Sequence, residues 1–389
     1  MAFVFVAYAF GVTMLGTTLP TPLYHFYQEQ FGFGNLLTTV IYAVYAGGVL
    51  AALLLFGRAS DVLGRRRLLL AGLAVAALSA VVFLTDGGLV ALFTGRVLSG
   101  VSAGIFTGTA TVTLVELVDA RHRRAATLLA TVVNMLGLGC GPLLAGLFAE
   151  YLPEPLRWPF VANLAVLLPA AVGVWFSPET VDVRPGARPR PQRPAVPASV
   201  RPVFVPAAVA VFAAFSVFGL LTSIEPGFLA DLLHRPDEAL AGAVVFSMFA
   251  GSAIGQVGLA RLPTRVALPT GCLVLVAGLA GIGLALVTNA FLALVVGTVV
   301  VGIGQGISFR AGMATVTEHS PPDRRAETVS SFFVVAYTGI SVPVILVGVG
   351  SAVWGLRTAG IAFTVAVAAL ALGALVAVLR LARGSAATT

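Results

Sequence analysis

The stretch Gly57-Arg58-Ala59-Ser60-Asp61-Val62-Leu63-Gly64-Arg65-Arg66-Arg67 is a short polar segment between two long apolar runs, 35–56 and 68–85. An apolar run of about 20 residues is long enough to cross a bilayer as a helix. The segment therefore predicts a loop of a few residues at a membrane face. Its three consecutive arginines predict the cytoplasmic face, because cytoplasmic loops are enriched in basic residues.

The composition of the whole chain is typical of a polytopic membrane protein. Of its 389 residues, 58% are hydrophobic and 10% are charged, with a mean hydropathy of +1.00, whereas a soluble domain carries about 25% charged residues. All 23 basic residues are arginine, and the net charge is +7. These arginines lie mostly in short loops, where they orient helices and meet anionic lipid head groups. We therefore expect the lipid bilayer as a partner, and no nucleic acid.

Windows of about 20 residues divide the chain into twelve predicted spans. Their limits are 3–24, 35–56, 68–86, 89–116, 125–150, 157–177, 203–230, 239–260, 267–287, 290–317, 327–350 and 355–380. Met1 leads almost directly into the first apolar run, so we expect a retained helix there rather than a cleaved signal peptide. Cys140 and Cys272 fall within spans and are expected to be packing residues rather than a disulfide or metal pair.

A polar segment between the sixth and seventh spans divides the chain into two halves. Arginine and proline alternate along it, and such a sequence cannot form a helix and tends to be extended. We predict an N-terminal six-helix bundle over 1–177, a cytoplasmic linker over 178–202, a C-terminal six-helix bundle over 203–380 and a cytoplasmic tail over 381–389.

The distribution of arginine predicts the topology. Eighteen of the 23 arginines fall in loops or at helix ends on the side of Gly57–Arg67, three fall on the opposite side, and two lie within spans. This asymmetry predicts that both termini face the cytoplasm and that the chain is a multi-pass protein of the cell membrane.

The two halves repeat each other in sequence. Residues 121–127 (RHRRAAT) follow the fourth span, and residues 322–328 (PDRRAET) follow the tenth, at an offset of 201. Further pairs correspond at an offset of 201 or 202: Pro142 with Pro343, Gly100 with Gly302, and Gly104 with Gly306. Parallel six-span halves are a transporter architecture, with the substrate near the bilayer midplane. Coincidental matching of glycine and proline is the alternative.

The segment Gly57–Arg67 fits the pattern G-x-x-x-D-x-x-G-R-R-R and resembles the signature between the second and third helices of the major facilitator superfamily. The resemblance implies an all-α fold of twelve transmembrane helices in two pseudo-symmetric six-helix bundles. It also implies a cytoplasmic gate, formed by Gly57, Asp61, Gly64, Arg65, Arg66 and Arg67.

Each part of this predicted gate has a physical role. Gly57 and Gly64 would allow close helix approach. Asp61 would accept hydrogen bonds from helix N-termini and arginines, and so latch the halves together. The equivalent loop in the second half, 258–265, has Leu262 where an aspartate would lie, so any latch is asymmetric. A basic turn that only sets topology is the alternative.

Arg96 in the fourth span carries a second resemblance. As in the family, a glycine follows four residues later, Gly100, although Ser99 replaces the family's glutamine. An arginine inside a span is costly, so we expect it to face the interior or a wet cavity and to have a partner. The resemblance implies a part in proton coupling. The alternative is an arginine that extends to the outer interface.

The fifth span contains Gly137-x-x-x-Gly141-Pro142-x-x-x-Gly146 and resembles the antiporter signature of drug-exporting members of the family. Small residues at four-residue spacing let helices touch, and a proline bends a helix. The resemblance favours export over uptake, and simple helix packing is the alternative. Residues 178–180 (Pro-Glu-Thr), after the sixth span, resemble another family signature.

Two carboxylates are candidates for the proton carrier. Glu225 in the seventh span is expected at a depth similar to that of Arg96, and Arg96 would keep its proton exchangeable near physiological pH. An exposed helix end is the alternative for Glu225. Glu29, in the loop after the first span, is the second candidate.

The later spans carry residues expected to line a substrate cavity. They are Arg310, Gln305, Phe215, Phe218 and Tyr337. Aromatic rings suit an amphiphile, and Arg310 would contact a carboxylate on the substrate. Packing or lipid contact is the alternative for each aromatic residue.

These patterns favour a transporter over an enzyme. The histidines lie at loops or helix ends, and a Walker phosphate loop needs a lysine, which the sequence lacks. We expect no cofactor and no metal. We predict proton-coupled efflux of a small amphiphilic drug or metabolite by a monomer, with this small molecule and protons as partners. The alternatives are proton-linked uptake of a sugar or organic anion, and a membrane scaffold that transports nothing.

Overall fold

The computed structural model of the chain consists of helices joined by short connections. It describes residues 1–57, 59–85, 87–181, 183, 191–227, 229, 237–258 and 262–386, with the side chains of 224–227 and 382–386 left out. The helices are α1 (Ala2–Thr18), α2 (Tyr24–Phe31), α3 (Asn35–Phe56), α4 (Ala59–Leu63), α5 (Arg65–Phe83), α6 (Gly88–Glu116), α7 (Arg123–Tyr151), α8 (Trp158–Trp175), α9 (Arg201–Gly227), α10 (Glu238–Gly258), α11 (Thr264–Thr288), α12 (Phe291–His319), α13 (Arg325–Trp354) and α14 (Leu356–Ala386).

Most of these helices are suited to a bilayer. Within the described residues, eleven helices, α3 and α5 to α14, have the length and apolar composition to cross a membrane. Helix α1 is a shorter apolar helix of 17 residues. The protein is a multi-pass membrane protein, and the predicted all-α fold is confirmed.

The first helix is shorter than the predicted span 3–24. Helix α1 ends at Thr18 because Pro20 and Pro22 lack a backbone N–H and cannot continue the helical ladder. The chain turns instead, and the N–H of Thr21 donates to the Thr18 carbonyl at 3.1 Å. Helix α2 then follows as a short separate helix that the hydrophobic pattern did not predict.

The chain divides into two compact units. The first contains residues 1–34, 44–192 and 237–246, and the second contains 35–43, 193–236 and 247–389. The beginning of α3 thus belongs to the second unit, and the beginning of α10 to the first. The predicted bundle, linker and tail boundaries stay predictions. Residues 182 and 184–190 of the linker and 387–389 of the tail lie outside the described residues.

Glycines pack the helices closely, and they do so in the same way in both units. A Cβ atom at Gly100 would lie 2.2 Å from the Tyr45 carbonyl oxygen on α3, and one at Gly302 would lie 2.2 Å from the Met248 carbonyl oxygen on α10. Because no side chain tolerates such an approach, the helix backbones touch there. Gly100 and Gly302 are a repeated pair in the sequence, so the repeat corresponds to a repeated helix contact.

The core of the second unit is apolar and tightly packed. Cys272 is fully buried in it with Ile307 and Phe332, and Phe204 packs in the same cluster. Both cysteines of the chain are free thiols. Cys272 therefore acts as a small packing residue, as expected.

Candidate functional site

Arg65 is the centre of a polar cluster at one end of the first unit. It begins α5, and its side chain is 7% exposed. Its Nε and Nη2 atoms donate to the two carboxylate oxygens of Glu116 at 3.2 and 3.0 Å. Its guanidinium also pairs with Asp61 at 2.5 Å and donates to the hydroxyl of Ser60. The planar fork of an arginine suits this arrangement, because it bonds a carboxylate through two atoms at once.

Glu179 connects the segment after α8 to the same cluster. Its two carboxylate oxygens accept the backbone N–H groups of Arg65 and Arg66 at 2.7 and 3.2 Å. Those N–H groups lack partners within the helix, so Glu179 caps the positive end of the α5 dipole. The hydroxyl of Thr180 donates to Glu116 at 2.6 Å. We call Ser60, Asp61, Arg65, Glu116, Glu179 and Thr180 the Arg65 cluster.

Gly64 is required by the backbone of this cluster. Its φ is 99°, a conformation that residues with a side chain rarely adopt. A Cβ atom there would also lie 2.5 Å from a carboxylate oxygen of Glu179. At Gly57, a Cβ atom would lie 2.9 Å from the side-chain nitrogen of Gln192. Both glycines therefore occupy positions of close approach.

The side chains of the other predicted gate residues are more exposed than that of Arg65. The side chain of Asp61 is 55% exposed and pairs with Arg65 of its own unit, while Arg66 and Arg67 are exposed. A latch between the halves stays a prediction, and residues 259–261 of the equivalent second loop lie outside the described residues. Sequence reasoning missed Glu116, whose only signal was an acidic residue at the end of an apolar span.

Arg96 is buried inside the first unit, with 1% of its surface exposed. Its Nη1 atom donates to the Thr17 carbonyl at 2.7 Å. The guanidinium carbon lies 4.8 Å from the ring centroid of Tyr45 and 6.0 Å from that of Tyr24, which are cation–π distances. The alternative in which Arg96 extends to the outer interface is wrong, because the side chain is enclosed by protein.

The end of α1 explains why Arg96 bonds to Thr17. The last carbonyls of a helix have no partner within it, and Pro20 and Pro22 prevent α1 from continuing. A cation at a helix C-terminus is also favourable for the helix dipole. Arg96 therefore caps α1, so a residue that the sequence marks for proton coupling also has a structural role.

A small polar cavity lies next to this region. Its volume is about 10 Å³, which is enough for a single water molecule. The walls carry hydroxyl and amide groups, from Thr13, Thr17, Ser79, Ser99, Ser102 and Asn163. The carbonyl oxygen of the Asn163 side chain is buried and has no hydrogen-bond partner in the described part of the chain. The cavity therefore suits a bound water.

The antiporter-like segment of α7 packs directly on α1. A Cβ atom at Gly137 would lie 2.7 Å from the Gly11 carbonyl oxygen, and one at Gly141 would lie 2.4 Å from the Leu15 carbonyl oxygen. Pro142 lies inside α7, and a Cβ atom at Gly146 would meet the backbone of Glu238 at the start of α10. The segment is thus a helix-packing surface, and its link to export stays a prediction.

We expect the change Gly141→Ala to lower the thermal unfolding midpoint of the detergent-solubilised protein by several degrees. The added methyl group forces α1 and α7 apart, and such overpacking costs about 1–3 kcal/mol. Gly47→Ala is the matched control, because Gly47 lies in α3 with open space around its Cβ position. There alanine should stabilise slightly, by its higher helix propensity. Equal midpoints for the two variants would contradict this packing.

Aromatic rings from three helices of the second unit meet in one region. The ring centroid of Phe215 on α9 lies 5.5 Å from that of Phe309 on α12 and 6.2 Å from that of Tyr337 on α13. We call Phe215, Phe309, Phe332, Phe333 and Tyr337 the aromatic group. Arg310 follows Phe309 in α12 and is half-buried. The sequence thus has a cation one residue after a member of the aromatic group.

Two other predicted cavity residues are engaged in helix packing. Gln305 is 2% exposed, and its side-chain carbonyl accepts the hydroxyl of Ser252 at 2.6 Å. This hydrogen bond ties α12 to α10, and within α10 the same hydroxyl accepts from the amide of Gln256 at 3.1 Å. Phe218 packs edge-on against Phe249 at 5.2 Å. A role for Gln305 and Phe218 in substrate binding stays a prediction.

The two predicted proton carriers differ in how far they are described. Glu225 belongs to α9, but its side chain lies outside the described residues, so its pairing with Arg96 stays a prediction. Glu29 is exposed on α2. It borders a cavity of about 850 Å³ together with Phe26, Thr85 and Arg157.

Long apolar helices in two units, with repeated helix contacts, are the architecture of a multi-pass membrane protein. The chain belongs to the Major Facilitator Superfamily, whose sequence profile matches residues 1–342. This family is one of membrane transport proteins.

Two curated relatives share part of this sequence. One is a triacylglyceride transporter of Mycolicibacterium hassiacum, 34% identical over 160 residues, which are 38% of this chain and 29% of the relative. The other is a triacylglyceride transporter of Mycolicibacterium smegmatis, 31% identical over 154 residues, which are 37% of this chain and 27% of the relative. The chain thus spans less than a third of the length of these relatives.

Solved structures share the fold across nearly the whole chain. The human organic anion transporter MFSD10 superposes with a TM-score of 0.69 at 16% identity, covering 97% of this chain and 98% of that one. A bacterial homologue of the human lysosomal transporter Spinster gives 0.71 at 17% identity, covering 97% of each chain. A POT family transporter gives 0.77 at 12% identity, covering 96% of this chain and 95% of that one.

Proposed function

We propose that the protein exports a small amphiphilic molecule in exchange for protons, by alternating access in the cell membrane. In this proposal the end that carries the Arg65 cluster is cytoplasmic, because arginine-rich loops stay on that side, and both termini are cytoplasmic as well. The resemblance of the Gly137–Gly146 segment to antiporters favours export. The protein acts as a monomer.

The aromatic group, with Arg310 on the same helix as Phe309, is the observation that carries the choice of substrate. Aromatic rings offer a broad apolar surface, and an arginine pairs with a carboxylate or phosphate. An arginine within a membrane span is energetically costly, so its presence there indicates a function. Together these features fit a molecule with an apolar body and an anionic head.

The curated relatives support a lipid-like apolar body. Both are named triacylglyceride transporters, and the matched region is less than a third of their length. We therefore place the substrate among amphiphiles with long apolar parts, whether a drug or a metabolite of the cell.

Proton coupling is proposed for Arg96, with Glu225 and Glu29 as carboxylates that exchange the proton. The buried position of Arg96 supports this, because a charge enclosed by protein responds strongly to a proton bound nearby. The cavity next to Asn163 offers room for a water in the same region.

Uptake of an organic anion is the second candidate function. The half-buried Arg310 fits an organic anion as the substrate, and it would bind that anion equally well in either direction of transport. A scaffold that transports nothing is not supported, because the chain belongs to a family of transporters.

The proposal can be tested by accumulation in cells that do or do not produce the protein. The probes share one apolar body and differ in carrying an anionic, neutral or cationic head. We expect lower accumulation of the anionic probe in producing cells. Arg310→Gln should reduce the preference for the anion about tenfold, because a charge-assisted hydrogen bond contributes about 1.5–3 kcal/mol. Arg201→Gln, an exposed change in the same unit, is the control.

Two other outcomes of this accumulation experiment would contradict the proposal. Higher accumulation of the anionic probe in producing cells would establish uptake instead of export. Equal accumulation of all three probes in both kinds of cell would contradict the proposed substrate class.

A further inference from the structure

The start of α10 is docked on α7 within the first unit. A Cβ atom at Gly146 would lie 2.2 Å from the Glu238 carbonyl oxygen, and one at Gly242 would lie 2.4 Å from the Pro142 carbonyl oxygen. The two backbones are therefore in direct contact. Glu150 of α7 accepts the backbone N–H of Glu238 at 3.1 Å, so an acidic side chain of one helix caps the N-terminus of the other.

Glu238 places a carboxylate inside this contact. Its side chain is 15% exposed, and its Oε1 atom lies 3.5 Å from Nε2 of His25 on α2. Its Oε2 atom is buried and has no hydrogen-bond partner in the described ranges of the chain. An ionised carboxylate in such a place loses its hydration without full compensation.

The charged groups that face the pair are mostly acidic. Within the described residues, Glu150 on α7 and Asp237, which directly precedes α10, act on Glu238, and Glu29 on α2 acts on His25. Glu150 and Asp237 repel a negative charge on Glu238. The contact therefore requires a compensating proton.

The histidine is not the place for that proton. Burial lowers the pKa of His25 below its ordinary value of 6.5, although its hydrogen bond with the Pro22 backbone and the charge of Glu29 act in the opposite direction. A neutral imidazole donates from one nitrogen and accepts at the other. If it donates to Pro22, it presents a lone pair to Glu238, and the hydrogen bond between them needs a proton on the carboxyl group.

We propose that Glu238 and His25 form a proton-binding pair, in which the protonated carboxyl of Glu238 donates to neutral His25 and holds the start of α10 on α7 and α2. When the proton leaves to the solution, the carboxylate charge faces its acidic neighbours and the contact loosens. The contact is thus present at low pH and is lost as the pH rises. This inference rests on the proposed function for its role, which is to bind a proton that drives transport.

Hydrogen–deuterium exchange of residues 238–246 tests the pair in the full chain in lipid nanodiscs. After correction for intrinsic rates, we expect exchange in the wild type to rise about tenfold between pH 5.5 and pH 8.5, because deprotonation favours local opening. Glu238→Gln fixes a neutral side chain and should exchange slowly at both pH values. Glu154→Gln, an exposed change, should behave as the wild type does.

A second variant keeps the test decisive if Glu238→Gln fails to fold. His25→Ala removes the hydrogen-bond acceptor, so residues 238–246 should exchange rapidly at both pH values. Exchange that is independent of pH in the wild type overturns the pair. So does a Glu238→Gln variant with the full response of the wild type.

Hydrogen–deuterium exchange is measured without substrate. A negative result for the pair of Glu238 and His25 is therefore distinguishable from a negative result for the proposed transport function. Exchange that is independent of pH, together with proton-driven export, overturns the pair and leaves the function standing. Exchange that depends on pH, without proton-driven export, confirms the pair as a pH-sensitive contact and overturns its role in coupling.

Discussion

Replacing Arg65 with alanine is expected to abolish transport and to destabilise the first unit strongly. The change leaves the carboxylates of Glu116 and Asp61 without their cation, and removing one partner of a buried ion pair costs about 3–5 kcal/mol. Because Asp61 is half-exposed and Glu116 partly so, we expect a loss near the lower limit, about 3 kcal/mol. Thermal unfolding in detergent and transport by the same preparation measure both effects.

The control for this experiment lies two residues away. Arg67 carries the same charge in the same stretch but is exposed, so Arg67→Ala should change the midpoint little. The double variant Arg65→Ala/Glu116→Ala should be more stable than Arg65→Ala alone, because no carboxylate of Glu116 is then left without a partner. Additive effects of the two changes would contradict the pairing of Arg65 with Glu116.

Replacing Arg96 with leucine is expected to reduce proton-driven transport about 30- to 150-fold. A buried hydrogen bond from a charged group contributes about 2–3 kcal/mol, which corresponds to that factor. The change removes the donor to the Thr17 carbonyl and the cation beside Tyr45. Arg96→Lys keeps the charge without the planar fork and should retain part of the activity.

Exchange of labelled for unlabelled substrate separates the two roles of Arg96. This exchange needs no proton gradient. If Arg96 couples the proton, Arg96→Leu should keep exchange and lose accumulation driven by a pH gradient. If Arg96 only caps α1, both activities should fall together. Arg124→Leu, an exposed change in the same unit, should leave both intact.

The hydrophobic pattern is sufficient to predict the helices, but not their ends. Apolar runs of bilayer length occur wherever α3 and α5 to α14 lie, because a lipid environment imposes both length and composition. The first span was too long because window averages pass over prolines. The helix breaks at Pro20 and Pro22 because these residues lack a backbone N–H. Helix α2 is a separate helix because of this break.

The candidate site was only partly predictable for a similar reason. Local motifs predict Gly64, Arg65 and Arg96. A glycine is needed where the backbone would strain another residue, and an arginine beside or within an apolar span is energetically costly. Their partners Glu116 and Thr17 come from other helices, and no local pattern encodes such a contact. The role of Glu238 was not predicted, because an acidic residue at the start of a span is typical of an ordinary helix end.

The glycines show how far a repeat can be interpreted. Gly100 and Gly302 correspond in sequence, and both lie where backbones touch. The repeat therefore predicts that a contact recurs, although it does not identify the partner residues Tyr45 and Met248.

Uptake into liposomes tests the central claim, proton-coupled transport of an anionic amphiphile, most directly. The purified protein is reconstituted in vesicles with an acidic interior, and the labelled anionic probe is added outside together with a pH-sensitive dye inside. We predict that the probe accumulates and that the interior loses protons only when both protein and probe are present. The account would be contradicted if the probe accumulated without any proton movement. It would also be contradicted if protons moved at the same rate with and without the probe.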